Sequence, residues 1–183
     1  SIEHIKPLVN HGHRHFGENK VQEAEKKWKE LKKTTDNLKL HMIGRLQSNK
    51  AKKAVELFDY IHSLDSEKLA NELSKRQNEK GKNLGYFIQL NLGSEEQKGG
   101  IEINDLEKFS NYCIKKLNLS ILGLMAIPPN DKEPGKYFET IAQLNRKFNF
   151  PKLSIGMSND YLEAINFGAS FIRVGSAIFG SRN

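Results

Sequence analysis

The chain has 183 residues, which fits one compact unit better than two, and its 37% hydrophobic content supports a packed core rather than disorder. Lys and Arg total 29 against 22 Asp and Glu, a formal net charge of +7 that suits anionic ligands such as phosphates and, less strongly, nucleic acid. A single cysteine, Cys113, excludes an internal disulfide framework and a Cys-based zinc site; with no membrane-length apolar run and no signal-peptide layout at the amino end, a cytoplasmic setting is expected.

Residues 2–11 carry Ile2, Ile5, Leu8 and Val9 at helical spacing and stop at Gly12, a helix with no strand before it. A short strand at 13–17 leads into a charged helix through Lys33, with Val21, Ala24 and Trp28 on one face. A strand at 41–44 precedes a helix at 48–58. A third strand, Tyr60–Leu64, is followed by Asp65 and Ser66 as caps for a helix at 67–78. Residues 86–92 form a nearly continuous apolar strand, as a parallel strand buried on both faces should. A Gly- and Glu-rich loop at 93–100 then leads to a helix at 104–116. A strand at 121–127 ends at Pro128 and Pro129, and a helix at 135–148 follows. Strands at 153–157 and 171–174 flank a helix at 161–167 that Gly168 closes.

This alternation predicts an α/β protein with a parallel sheet, because parallel neighbours need crossover helices. Seven strands are countable, and a closed barrel needs eight strand–helix pairs. The expectation is therefore a (β/α)8 TIM-type barrel, one domain over 1–183, whose first strand is missing from this chain. An open doubly wound sheet is the alternative, but its glycine fingerprint is absent.

On such a barrel functional groups collect at the carboxyl ends of the strands, and phosphates favour the loops after the last two. Those loops hold Gly156, Met157, Ser158, Asn159 and Asp160, then Gly175, Ser176 and Ala177. Small residues admit an anion to backbone N–H groups, and Ser158 and Ser176 add hydroxyls, so together they read as a phosphate cup. Each loop alone also reads as an ordinary tight turn. Arg173, inside the last strand, needs an acceptor, either a buried carboxylate or a ligand. Asn19 and His41 can face the same mouth or serve as a cap and a core polar group. Met125 can pack on a flat ring or simply fill the barrel. His11, His13 and His15 alternate, but no acidic or Cys ligand accompanies them, so no metal is expected. Arg45, Lys50, Lys52 and Lys53 form a basic run without interleaved aromatics, which argues against nucleic-acid binding. Lys98 reads as a solvent-exposed loop residue. No Ser-His-Asp set and no paired carboxylates stand out, so no catalytic residue is assigned.

Several motifs occur in order and at matching intervals: His15-Phe16-Gly17-Glu18-Asn19, His41-Met42-Ile43-Gly44-Arg45-Leu46-Gln47-Ser48-Asn49-Lys50, His62-Ser63-Leu64-Asp65, Gly123-Leu124-Met125-Ala126-Ile127-Pro128-Pro129, Ser154-Ile155-Gly156-Met157-Ser158-Asn159-Asp160 and Arg173-Val174-Gly175-Ser176-Ala177-Ile178-Phe179-Gly180. Along essentially its whole length the chain resembles the pyridoxal phosphate homeostasis proteins, single-domain barrels similar to the N-terminal domain of alanine racemase.

That resemblance implies a protein that binds pyridoxal 5′-phosphate and buffers or delivers it, with no established turnover. Its expected partners are the small-molecule cofactor and, as recipients, pyridoxal phosphate-dependent apo-enzymes, without membrane or nucleic acid; a monomer is expected. By the same carry-over Ser158, Gly175 and Ser176 hold the phosphate, Arg173 faces the pyridine nitrogen, and Asn19, His41 and Met125 line the ring. In the family the Schiff-base lysine ends the first strand, upstream of the helix that begins here at Ile2. No lysine of this chain takes that role, so noncovalent, weakened binding is expected. Two other readings are a racemase or decarboxylase relative, for which no catalytic base is visible, and a basic RNA-associated protein using the lysines between 26 and 53.

Overall fold

The structure, a computed structural model, describes residues 2–93, 99–129 and 133–180. In chain order it forms α1 (Ile2–Asn10), β1 (His15–Glu18), α2 (Val21–Thr34), β2 (Lys39–Met42), α3 (Ala51–Leu57), β3 (Tyr60–Leu64), α4 (Glu67–Lys80) and β4 (Gly85–Gln89). There follow α5 (Leu106–Asn111), β5 (Ser120–Met125), α6 (Pro134–Lys147), β6 (Lys152–Met157), α7 (Tyr161–Asn166), β7 (Phe171–Arg173) and α8 (Ser176–Phe179). The strands form one sheet in the sequential order β1 to β7, and every neighbouring pair is parallel. Among the described residues β1 and β7 do not pair. The sheet nevertheless curls far enough to bring His15 of β1 and Phe171 of β7 together, ring centres 6.1 Å apart, giving the nearly closed parallel barrel that the alternating pattern predicts.

Alternation along the strands divides the core in two. Leu40 and Met42 of β2, Ile61 of β3, Ile88 of β4, Leu124 of β5 and Leu153 of β6 pack outward against Trp28, Val55, Leu69, Leu73, Phe138 and Ile141 of the helices. The inward positions are far more polar: His41, His62 and Ser154 are buried there, packed among the rings of Tyr60, Phe87 and Phe171. Local chemistry sets the helix starts. Ser66 Oγ accepts from Leu69 N at 3.3 Å to cap α4, and Pro134 opens α6 at a position where a missing N–H costs nothing.

The strand expected at 41–44 is formed two residues earlier. β1 pairs from His15 against Lys39, and the Asp59 carboxylate accepts from Leu40 N at 2.9 Å, so the ladder is secured before the apolar Met42-Ile43 pair that drew the sequence reading. The helix expected at 104–116 is composite: a 3-10 turn at Ile103–Asp105, α5, and a π turn at Tyr112–Lys116. Most of the loop expected at 93–100, Lys98 included, lies outside the described residues. No helix among the described residues is long and apolar enough to cross a membrane.

Candidate functional site

The loops after β6 and β7 meet. Ser158 Oγ accepts from the backbone N–H of Gly175 at 3.1 Å and of Ala177 at 3.4 Å. Two amide donors from one turn thus converge on a single oxygen, the arrangement a phosphoryl oxygen requires. The first loop is shaped by Gly156, whose φ of +93° belongs to glycine and whose missing Cβ leaves room for Ala164 Cβ, 2.7 Å from where a side chain would start. Asp160 Oδ1 then accepts from Met157 N, fastening that turn. A Cβ built on Gly175 meets nothing within 4 Å, so the backbone there is approachable.

Arg173, the last residue of β7, points back across the sheet. Its Nη1 donates to Ser154 O at 2.9 Å and Ser154 Oγ at 2.7 Å, and its Nη2 donates to Ala126 O at 2.8 Å. All these acceptors are neutral. Among the described residues no carboxylate pairs with Arg173, so its charge is held by dipoles and remains available to a ligand. Burial pulls its pKa down to about 10, with Asp160 opposing, and it stays cationic at neutral pH. Of the two partners open to it on sequence grounds, the carboxylate is not the one found.

Behind Arg173 a column of side chains crosses the barrel interior. Ser154 Oγ lies 2.8 Å from His62 Nδ1, His62 Nε2 lies 2.9 Å from His41 Nδ1, and His41 Nε2 lies 2.9 Å from His15 Nδ1. The register makes it a staircase: Gly17 is opposite His41, two residues beyond His15, and Tyr60 is opposite His41, two residues before His62. Stacking fixes the rings, His41 on Tyr60 with centres 4.4 Å apart and His62 on Phe87 at 4.3 Å. Burial lowers the pKa of His41 to about 3, aided by His15. It holds His62 well below the ordinary imidazole value, aided by His41 and Arg173, and lowers His15, aided by His13 and Lys39. The column is neutral at pH 7.

Among the other predicted residues, Asn19 follows β1 at the mouth. Its backbone fits so closely against Gly44 that a Cβ on that glycine would collide with Asn19 O. Met125 ends β5 fully buried, opposite Gln89 and Ser154. Ser176 opens α8 beside Gly175. His41 sits deeper than a mouth residue, with both ring nitrogens engaged by other histidines, and reaches Arg173 only through His62 and Ser154. The sequence reading gave no role to Ser154 or His62. The available signal was an imidazole at an inward position on three successive strands. The lysine-rich stretch is largely neutralised: Lys27 pairs with Glu18, Lys32 with Asp59, Lys33 with Glu30 and Lys53 with Glu25. No group of three metal-ligating side chains occurs among the described residues.

The donor set at the mouth fits a phosphorylated, nitrogen-containing ring: converging amides for the phosphate, and an unneutralised guanidinium a strand-end away for the ring. Comparison with known proteins shows the family. The family model described as alanine racemase, N-terminal domain, matches residues 1–183. A pyridoxal phosphate homeostasis protein of Aquifex aeolicus is 40% identical, covering 97% of this chain and 81% of that protein. One of Escherichia coli is 35% identical, covering 98% and 80%. The structure of PipY from Synechococcus elongatus with pyridoxal phosphate bound superposes with a TM-score of 0.89 at 36% identity, over 98% of this chain and 87% of that one.

Proposed function

The chain belongs to the pyridoxal phosphate homeostasis proteins of the alanine racemase N-terminal domain family, and from that premise we propose that it binds pyridoxal 5′-phosphate at the carboxyl ends of β5, β6 and β7 and maintains cytoplasmic supply of the cofactor to apo-enzymes that depend on it. The observation that carries this reading is the meeting of the Ser158 and Gly175 loops next to a guanidinium that, among the described residues, no carboxylate pairs with.

Ser158, Gly175 and Ser176 would hold the phosphate through backbone N–H and hydroxyl donors, with Ala177 N–H alongside. Asn19 and Met125 would flank the ring, and His41 would act from the interior rather than by touching it. The cofactor supplies a reactive aldehyde and, when its ring nitrogen is protonated, an electron sink. Arg173 does not provide that proton. A guanidinium that stays charged donates a hydrogen bond to the nitrogen without transferring a proton, which suits custody of the aldehyde better than carbanion chemistry. Relatives named for homeostasis rather than for a reaction support the same conclusion.

Titration with pyridoxal phosphate, followed by visible absorbance, tests the proposal. The wild type should saturate, and Ser158→Ala and Arg173→Ala should each weaken binding by about tenfold or more, the loss of one or two charge-assisted hydrogen bonds. Variants indistinguishable from wild type would refute the assignment, and steady turnover of any of a panel of amino acids would overturn the non-enzymatic reading.

A further inference from the structure

The direction of hydrogen bonding along the interior column follows from counting donors. Ser154 Oγ receives Arg173 Nη1–H at 2.7 Å, and a hydroxyl has one hydrogen of its own to give. Its other side-chain hydrogen-bond partner among the described residues is His62 Nδ1, so the hydroxyl donates there. His62 then carries its hydrogen on Nε2 and donates to His41 Nδ1, His41 likewise donates from Nε2 to His15 Nδ1, and the Nε2–H of exposed His15 meets solvent. Run the other way, the column would bury the Ser154 hydrogen without an acceptor, a loss of about 1–3 kcal/mol. One tautomer order therefore gives a partner to each ring nitrogen and to the hydroxyl of the column from His15 to Ser154.

This order matters because β7 is a weak platform. It has only the residues Phe171–Arg173 and shifts register against β6 between Ser154 and Met157. Backbone pairing alone does not fix a long, flexible side chain at its end. The Ser154 and Ala126 carbonyls accept from Nη1 and Nη2, and the Ser154 hydroxyl adds a third acceptor, its lone pair facing Nη1 while its hydrogen is committed to His62. His62 is itself held by stacking on Phe87 and by its own donation to His41 Nδ1 behind it.

We propose that His62, acting through the Ser154 hydroxyl, is a positioning residue that holds the Arg173 guanidinium in its orientation toward the pyridine nitrogen. The proposal rests on the reading of the mouth as a pyridoxal phosphate site. Its consequence is that a residue outside the mouth sets the ring-end geometry of bound cofactor, with the His41 and His15 rings as its backing.

Paired substitutions separate this role from simple packing. His62→Asn keeps an acceptor near the Nδ1 position but loses the stacked ring, whereas His62→Leu keeps apolar volume and loses the acceptor. Binding of pyridoxal phosphate should stay within about threefold of wild type in His62→Asn and fall about tenfold in His62→Leu. The visible band of the bound cofactor should be retained in the first and displaced in the second. Ser154→Ala, a change small enough to preserve folding, should behave like His62→Leu. Independently of cofactor, nitrogen-15 NMR of the protein alone should show the His62 hydrogen on Nε2. A hydrogen on Nδ1, or a leucine variant that binds as well as the asparagine variant, overturns the role of His62 while leaving the cofactor reading intact. A wild type that does not bind at all overturns both.

Discussion

Acidification supplies a direct test of the neutral interior. His41 is almost wholly buried, and burial holds its pKa near 3 against an ordinary 6.5. The unfolded chain accepts a proton on this ring below about pH 6.5 while the folded chain does not, so stability is complete above that pH and falls as acid is added. At pH 5 the deficit is about 1.5 units, or about 2 kcal/mol from His41 alone, and His62 acts in the same direction. For a chain of this length that corresponds to a drop of roughly 4–8 °C in melting temperature. Half-buried Asp59 is held below its ordinary value by Lys32 and the Leu40 amide against the opposing effect of burial, so its contribution is lost only at still lower pH, whereas burial raises Asp65, which offsets part of the histidine loss as pH falls and makes the difference between wild type and a His41 variant the decisive quantity. Thermal melts by circular dichroism at about pH 7.5 and 5 measure the effect, with His41→Phe as the control. The variant will be less stable at the higher pH, having stranded His15 and His62, but its gap to wild type should close by about 2 kcal/mol at the lower one. A variant with the same pH slope as wild type would refute the neutral column.

Two further outcomes follow from packing. Gly44→Ala drives a Cβ into the Asn19 backbone, which has no rotamer to yield; urea unfolding should show a loss of about 1–3 kcal/mol, and a neutral substitution would mean that the two loops at the mouth are not in contact. Burial raises the Cys113 thiol to about 12 and leaves it without exposed surface, so a thiol-specific disulfide reagent should modify it only after unfolding.

The parts of the molecule that were legible in the sequence are those written in local pattern. The stripes Val21, Ala24, Trp28 and Leu69, Leu73 mark helix faces, and Ser66 marks a start. The glycine-serine bends point to the mouth because a parallel barrel puts strand ends there. Placement of β2 failed by two residues because it depends on Asp59, a residue nineteen positions away that accepts the Leu40 amide, and hydrophobicity carries no record of that bond. The composite helix before β5 failed for a related reason: α, 3-10 and π turns share one periodic pattern, and tertiary packing chooses among them.

The histidine column marks the boundary of sequence reading more sharply. His62 and Ser154 are 92 positions apart, and each alone passes as an ordinary core polar residue with an unspecified partner. What joins them is the curl of the sheet, which sets β3 and β6 face to face across the interior, together with a stagger that advances each histidine two residues beyond the last. Ionic chemistry could not have filled this place. A carboxylate within reach of Arg173 would cancel the charge that makes it useful and would itself require desolvation. Neutral imidazoles and a hydroxyl satisfy the guanidinium without discharging it. A barrel interior lined with leucine would offer Arg173 no partner, and one lined with glutamate would leave it nothing to offer a ligand. A neutral, donor-ordered column meets both demands.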